Sequence, residues 1–327
     1  MPGVDNRAAR SRRPAEAAVW FLCAAAATIL ISCTPPIKST LPGSPSAAQI
    51  AELWIRPEPG RDLFYGVGGK RLIPDPAVRY TILEIKRSGY SRGYTVKDPA
   101  GREWSVKFPP EAATEVAASR ILWGVGYHQP PIYYLVDWNA EKATSPNPQL
   151  HARFREKKPD LHGLDTKEGG WSYYQNPFVG TPQLKGLLVL QAMLGNSDLK
   201  PKQNAIYTLE GPFQGASTWY VARDLGQTFG RTGVIDAPRG DPETFEHTPF
   251  IKGVADGKVR LEYRGRHSDL FKNITPADVR WICTQLSHLT NQQWQDAFRA
   301  GGFAPSIADR FIRRMKQKID EGLGLKD

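Results

Sequence analysis

Lys107 stands next to the end of a short alternating segment, residues 103–108, and Glu115 follows eight residues later. On a helix Glu115 shares a face with Ala112, Ser119 and Leu122, and from there its carboxylate can orient the lysine as an ion-pair partner. Glu111 is a rival partner, although at a helix start its charge also suits the positive end of the dipole. Further along, Asp198-Leu-Lys200-Pro201 follows an apolar run, with Gln203 and Asn204 just beyond. Asp224-Leu-Gly226 comes straight after the β-rich segment 219–223. A lysine and several carboxylates, each at the end of an element, do their chemistry by electrostatics: they neutralise charge and position a ligand.

The elements that must hold these groups can be read from periodicity. Segments 80–86, 93–97 and 103–108 are rich in β formers and are joined through 87–92 and 98–101, which carry turn chemistry. That pattern predicts an antiparallel meander. Pro110 opens a helix over 111–123, ended by Gly124 and Gly126, and 132–136 reads as another strand. The stretch 139–183 is polar and irregular and is expected to be an insertion, with a candidate strand at 151–157. Residues 184–194 form a compact apolar helix, and 204–209 pairs with 218–223 as a hairpin around 210–216. Thr275, Pro276 and Asp278 have the form of a capping box with proline at the first helical position. Gly301-Gly302 stop a helix over 291–300, and Ser306 can cap the last one. Strands come first and helices later, which predicts an α+β chain with a small β-rich N-lobe and a larger, mainly helical C-lobe.

The order strand lysine, helix glutamate, Asp-x-Lys loop and Asp-Leu-Gly resembles the protein-kinase-like superfamily, which also contains lipid kinases and toxin-type kinases. The resemblance spans about residues 80 to 230. It implies a two-lobed fold, Mg²⁺ and ATP as cofactors, and phosphoryl transfer to a protein, lipid or glycan hydroxyl. By that resemblance Lys107 grips the donor phosphates and Glu115 orients it, while Gly89 and Gly93 let backbone approach phosphate closely. Asp224 holds the metal, Asp198 receives or orients the proton of the attacking hydroxyl, and Lys200 reaches the transferred group. Tyr133, Tyr134 and Asp137 fall near the hinge, where an adenine can sit.

The sequence departs from the family pattern in several places. Gln203 stands five residues after Asp198, where asparagine is usual, and Asn204 is sixth, so either is a candidate metal ligand. Asn196-Ser197 precede Asp198 in place of the His-Arg pair, so activation-loop control through that arginine is not expected. No full Gly-x-Gly-x-x-Gly is present, and Gly66, Gly68 and Gly69 are misplaced for one. These departures keep two alternatives open, a catalytically inactive pseudokinase scaffold and an unrelated envelope adaptor lipoprotein.

The N-terminus reads as an address. Arg7, Arg10, Arg12 and Arg13 form a basic leader, followed by an uncharged run of 15 residues, Ala17 to Ile31. That is short of the roughly 20 residues a membrane-spanning helix needs. Leu30-Ile31-Ser32-Cys33 resembles a bacterial lipobox, which implies a signal peptide over 1–32 and a lipid on Cys33. The expected organisation is therefore this signal, a Pro/Ser-rich tether over 33–48, an N-lobe over 49–137 and a C-lobe over 138–327. The expected location is the extracytoplasmic face of a bacterial membrane, with the bilayer as partner.

The chain of 327 residues carries 43 Lys+Arg against 33 Asp+Glu, a net charge of +10. Removing the signal takes away four Arg with Asp5 and Glu16, leaving +8. The composition supports a packed core and argues against disorder. Cys23, Cys33 and Cys283 exclude a disulfide-dense scaffold, and the six dispersed histidines give no zinc spacing. No nucleic-acid reader motif is present. Cys283, beside Trp281 and Ile282, is expected to be a buried thiol.

Overall fold

The computed structural model describes residues 44–87, 90–141, 151–166 and 170–326. The signal peptide, Cys33, most of the tether and Gly89 lie outside the described residues. In chain order, α1 (Ala47–Ala51) precedes β1 (Arg79–Lys86), β2 (Gly93–Lys97), β3 (Glu103–Lys107), α2 (Ala112–Gly124), β4 (Tyr133–Leu135), β5 (Asn139–Glu141), β6 (Ala152–Glu156) and β7 (Asp165–Thr166). Then come α3 (Pro182–Leu194), β8 (Asn204–Phe213), β9 (Ala216–Ala222), α4 (Pro242–His247), β10 (Ile251–Ala255), β11 (Lys258–Leu261), α5 (Pro276–Ser287), α6 (Asn291–Ala300) and α7 (Pro305–Leu323).

The smaller lobe is a six-stranded sheet in the order β4-β6-β3-β2-β1-β5, antiparallel except where β5 joins β1. The meander β1-β2-β3 is as the alternation predicts. Because successive side chains point to opposite faces, Val96, Trp104, Val106 and Phe154 form an apolar layer with Tyr80 and Trp138. The other face is polar, and its residues align in register. Lys86, Gly93, Lys107 and Arg153 make one row across β1, β2, β3 and β6. Glu84, Thr95, Ser105 and Arg155 make the next. Gly93 is required in its row, since a Cβ there would stand 2.3 Å from the Val106 carbonyl oxygen.

The larger lobe packs around a core to which α3 contributes Leu187, Val189 and Leu190, α5 Val279 and Ile282, α6 Trp294 and Phe298, and α7 Phe311 and Met315. Each helix start has a local reason. Thr181 accepts a hydrogen bond from Leu184 N with Pro182 at the first position of α3, and Gly195 ends that helix in the left-handed region at φ 79°. Thr275 and Asp278 form the expected capping box on α5. The last helix differs from expectation: it begins at Pro305 behind Ala304, one residue ahead of Ser306, and no side chain caps it.

The lobe boundary also differs. The strand anticipated at 151–157 exists as β6, but it lies inside the smaller lobe's sheet between β3 and β4, so that lobe runs to Glu156 rather than residue 137. Conversely Leu53 and Leu63, ahead of β1, are buried in the large core. The segment around them packs on the helical lobe, as shown by Tyr220 N donating to Glu52 O. The irregular stretch 139–183 is thus partly strand, with β7 also pairing with β8. The β8–β9 hairpin is longer than expected because its turn is tight: Gln214 and Gly215 both have positive φ, 53° and 80°, as a two-residue hairpin loop requires. Among the described residues no helix is long and apolar enough to cross a membrane.

Candidate active site

A cleft of about 280 Å³ opens between the polar face of the sheet and the hairpin side of the larger lobe. Lys107, at the end of β3, reaches into it from the first polar row. Its Nζ lies 2.7 Å from Glu115 Oε2 and 3.5 Å from Glu111 Oε2, and it pairs with Asp224. Glu115 sits on the first turn of α2 and is 2% exposed. Three cations surround it: Lys107, Arg153 with Nε 3.2 Å from Oε1, and Arg155 with Nη1 3.8 Å away. Burial by itself raises the carboxyl, but Arg153, Lys107 and Arg155 overcome it and push Glu115 down to about 2. Burial likewise opposes the charge of Lys107, and Glu115 and Asp224 override it, so the ammonium is held above its ordinary value.

Of the two candidate partners, Glu115 makes the closer bond to the lysine. Glu111 spends its other oxygen on Arg239, whose Nη1 is 2.6 Å away. Arg239 in turn lies 3.5 Å over the ring of Tyr90, and Tyr90 donates to Asp236 Oδ1 at 3.0 Å. The segment after Asp224-Leu-Gly226 is therefore tied to the loop between β1 and β2 at the mouth of the cleft. Sequence reasoning did not find this contact, because Tyr90, Glu111 and the 236–239 segment are far apart in the chain and each residue is ordinary alone.

Asp198 and Gln203 enter the cleft from the loop between α3 and β8. Lys200 Nζ is 2.7 Å from Asp198 Oδ1, and Gln203 Nε2 donates to Asp198 Oδ2 at 2.5 Å. Asn204 turns away: it is 3% exposed and donates to the Trp171 carbonyl at 2.9 Å. Of the two amides considered, only Gln203 faces the acidic pair. Asp224 follows β9 with φ 61°, a left-handed conformation uncommon for a residue with a Cβ and one that tends to mark functional turns.

No family model matches the sequence, and no curated protein matches it. Among solved structures, the chain is similar to the Helicobacter pylori proinflammatory kinase CtkA, at 11% identity over 76% of this chain and 98% of that one, with a TM-score of 0.46. It is also similar to the Golgi casein kinase, at 12% identity over 77% and 74%, TM-score 0.41. The same kinase with Mn and ADP bound gives 12% identity over 77% and 74%, TM-score 0.40. The chain's own geometry is two-lobed, a sheet lobe and a helical lobe, with the strand lysine paired to the helix glutamate and to the aspartate after β9.

The structure brings together Lys107, Glu115, Gly93, Asp198, Gln203 and Asp224, and sets Lys200 beside Asp198. Asn204 is not brought in. Tyr133 is buried with its hydroxyl on the Gly69 carbonyl, and neither it nor Tyr134 or Asp137 lines the cleft. The strand leaving the small lobe toward the large one is β6, not β4, so the hinge expected after 132–136 falls after Glu156. Arg153 and Arg155 were missed, although the alternation Arg-Phe-Arg within 153–155 is the signal that puts both on one face of a strand.

Proposed function

We propose that this protein is a Mg²⁺-dependent phosphotransferase of kinase type that moves a phosphoryl group from a nucleotide to a hydroxyl of a protein, lipid or glycan. The observation that carries this reading is the convergence of Lys107, Asp198 and Asp224 on one cleft from three separate elements. The oxygen donors Asp224, Asp198 and Gln203 suit a hard cation that keeps phosphate oxygens among its ligands. Among the described residues no group of three or more His, Cys, Asp or Glu side chains is placed to hold a metal ion by itself, so substrate phosphates would complete the shell. When bound, such an ion supplies charge neutralisation on the transferred group.

The chain's own residues do the rest. Lys107, kept charged and aimed by Glu115, binds donor phosphate oxygens. Asp198 accepts the acceptor hydroxyl's proton as the new O–P bond forms and the bridging P–O bond to the leaving group breaks. Lys200, 2.7 Å from Asp198, neutralises the moving phosphoryl oxygens. Tethering through Cys33 to the outer face of a bacterial membrane belongs to the same proposal and is supported by the basic leader and the Leu-Ile-Ser-Cys sequence.

One observation favours a second reading, nucleotide binding without transfer: both Asp198 oxygens are engaged, by Lys200 and Gln203. Transfer and binding assays separate the two. Asp198→Ala is expected to lower transfer by about 10²–10⁴-fold, the usual worth of a general base, while Mg·ATP affinity changes little. Asp224→Asn is expected to weaken Mg·ATP binding itself. Wild-type binding with no transfer to any acceptor, including water, would select the second reading.

A further inference from the structure

The cleft holds more positive charge than the residues assigned above can use. Beyond Lys107, its wall presents Lys86 from β1, Arg155 from β6 and Arg223 just before Asp224. The contacts they make within the protein are weak. Lys86 Nζ reaches Ser105 Oγ at 3.5 Å, and Arg223 Nη1 donates to the Tyr207 hydroxyl at 3.2 Å, a neutral partner in each case. Arg155 has Glu115 at 3.8 Å, a carboxylate already engaged more closely by Lys107 and Arg153. Burial, then the like charges of Arg153 and Arg223, push the Arg155 guanidinium down to about 10. Burial also lowers Lys86, against the pull of Glu84 and with the push of Arg155. Cations gathered at this depth without matching carboxylates cost stability unless an anion joins them.

Among the described residues, the same wall lacks what a nucleobase needs. Small-molecule pockets are usually lined by apolar and aromatic side chains. Here the aliphatic residue on the lining is Val106, and its side chain is 1% exposed in the apolar layer behind the sheet. Tyr90, the aromatic residue of the lining, stands at the mouth with its face taken by Arg239. Guanidinium forks and an ammonium suit phosphate oxygens instead.

We propose that Lys86, Arg155 and Arg223 form a second phosphate subsite, so that the cleft recognises its donor as an oligophosphate and reads the base little or not at all. The assignment rests on the phosphotransferase reading only in taking Lys107 and Asp224 to mark the reacting end. Its ligand chemistry, a chain of phosphates, is the same whether the chain carries a nucleoside or is inorganic.

The test is titration calorimetry on the full chain at fixed ionic strength with Mg²⁺, using sodium tripolyphosphate, ATP, GTP and adenosine as probes. Tripolyphosphate is expected to bind within about 3-fold of ATP, ATP and GTP to bind alike, and millimolar adenosine not to compete. Arg155→Gln and Arg223→Gln should each weaken tripolyphosphate and ATP by about 10-fold or more, the scale of one charge-assisted hydrogen bond, whereas Lys272→Gln on the exposed surface should not. Because Arg155 also touches Glu115, Arg223→Gln keeps the test decisive if the first variant folds poorly. ATP binding more than 10-fold tighter than tripolyphosphate, or both variants binding like wild type, would overturn the subsite. A phosphomonoester such as glycerol phosphate distinguishes an acceptor site. If it binds alongside tripolyphosphate and the two variants weaken it alone, the assignment to the donor is overturned. Tripolyphosphate binding without any transfer would count against the phosphotransferase reading and leave the subsite standing. Transfer from ATP that tripolyphosphate cannot inhibit would do the reverse.

Discussion

Replacing Glu115 with glutamine keeps the side chain's shape and removes the one charge that three cations share. In the native protein Lys107 Nζ is 2.7 Å from this carboxylate, Arg153 Nε 3.2 Å and Arg155 Nη1 3.8 Å. Glu115 titrates at about 2 against an ordinary value of 4.5, a difference of roughly 3 kcal/mol at about 1.4 kcal/mol per pKa unit. Breaking a buried ionic network by removing one partner independently suggests about 3–5 kcal/mol. At some 2 °C per kcal/mol for a domain of this size, Glu115→Gln should lower the melting temperature by about 6–10 °C at pH 7. The sign with pH follows from the depressed native value. The stabilisation is present above pH 4.5 and is lost as pH falls toward 2, because the unfolded chain takes up the proton first. Between pH 7 and pH 3 urea unfolding of the wild type should lose about 2 kcal/mol that the variant does not lose. The comparison is a difference between two curves, so other carboxylates cancel. A variant melting within 2 °C of wild type, with the same acid profile, would refute the view that Glu115 is the electrostatic centre of the small lobe.

Two further outcomes follow from buried groups elsewhere. Lys318 is 1% exposed, donates to the Met193 carbonyl at 2.8 Å and lies 3.6 Å over the Phe245 ring. Burial, then Arg314, depress it well below its ordinary value against the pull of Glu321. Lys318→Met is therefore expected to stabilise the protein near pH 6, and the gain should shrink as pH rises toward 10.5, where the unfolded lysine also becomes neutral. A gain that stays constant in urea titrations across that range would contradict the assignment. His128, stacked on Trp219 at 4.5 Å with Nε2 2.7 Å from the Ala51 carbonyl oxygen, is pushed down to about 4 by burial, against the pull of that bond and with a smaller push from Arg61. Its contribution is intact above pH 6.5 and lost on acidification, by about 2–3 kcal/mol at pH 4.5. His128→Gln should show a correspondingly smaller stability drop between pH 7 and 4.5, measured by denaturant unfolding.

Much of the architecture was legible because it depends on short-range rules. The alternation through 103–108 specified a half-buried strand carrying Lys107 near its end, and spacing put Glu115 on one helix face with Ala112, Ser119 and Leu122; that this face turns toward the lysine is a result of the fold. The Thr275 capping box and the glycine stop after Ala300 required only their neighbours. Misreadings occurred where a distant partner decides. Residues 151–157 have strand character in isolation, but only pairing with β3 and β4 makes β6 part of the small lobe and sets Arg155 opposite Ser105. Ser306 is chemically able to cap a helix, yet Pro305 fits the first helical position and starts α7 ahead of it. Gln203 and Asn204 could not be separated by sequence, since a single residue's rotation along the chain carries one amide to Asp198 and the other to the Trp171 carbonyl.

The sequence by itself therefore determined the order of elements and the identity of the charged groups, because each follows from local periodicity, and it left Glu111 and Glu115 as rival partners for Lys107 until the structure set Glu115 closer. Tertiary structure decided which charges meet across the cleft, which are left with weak partners, and how the segment after Asp224 reaches Tyr90. Those outcomes depend on register between strands far apart in the chain and on how many cations one buried carboxylate must serve, and no local rule contains either.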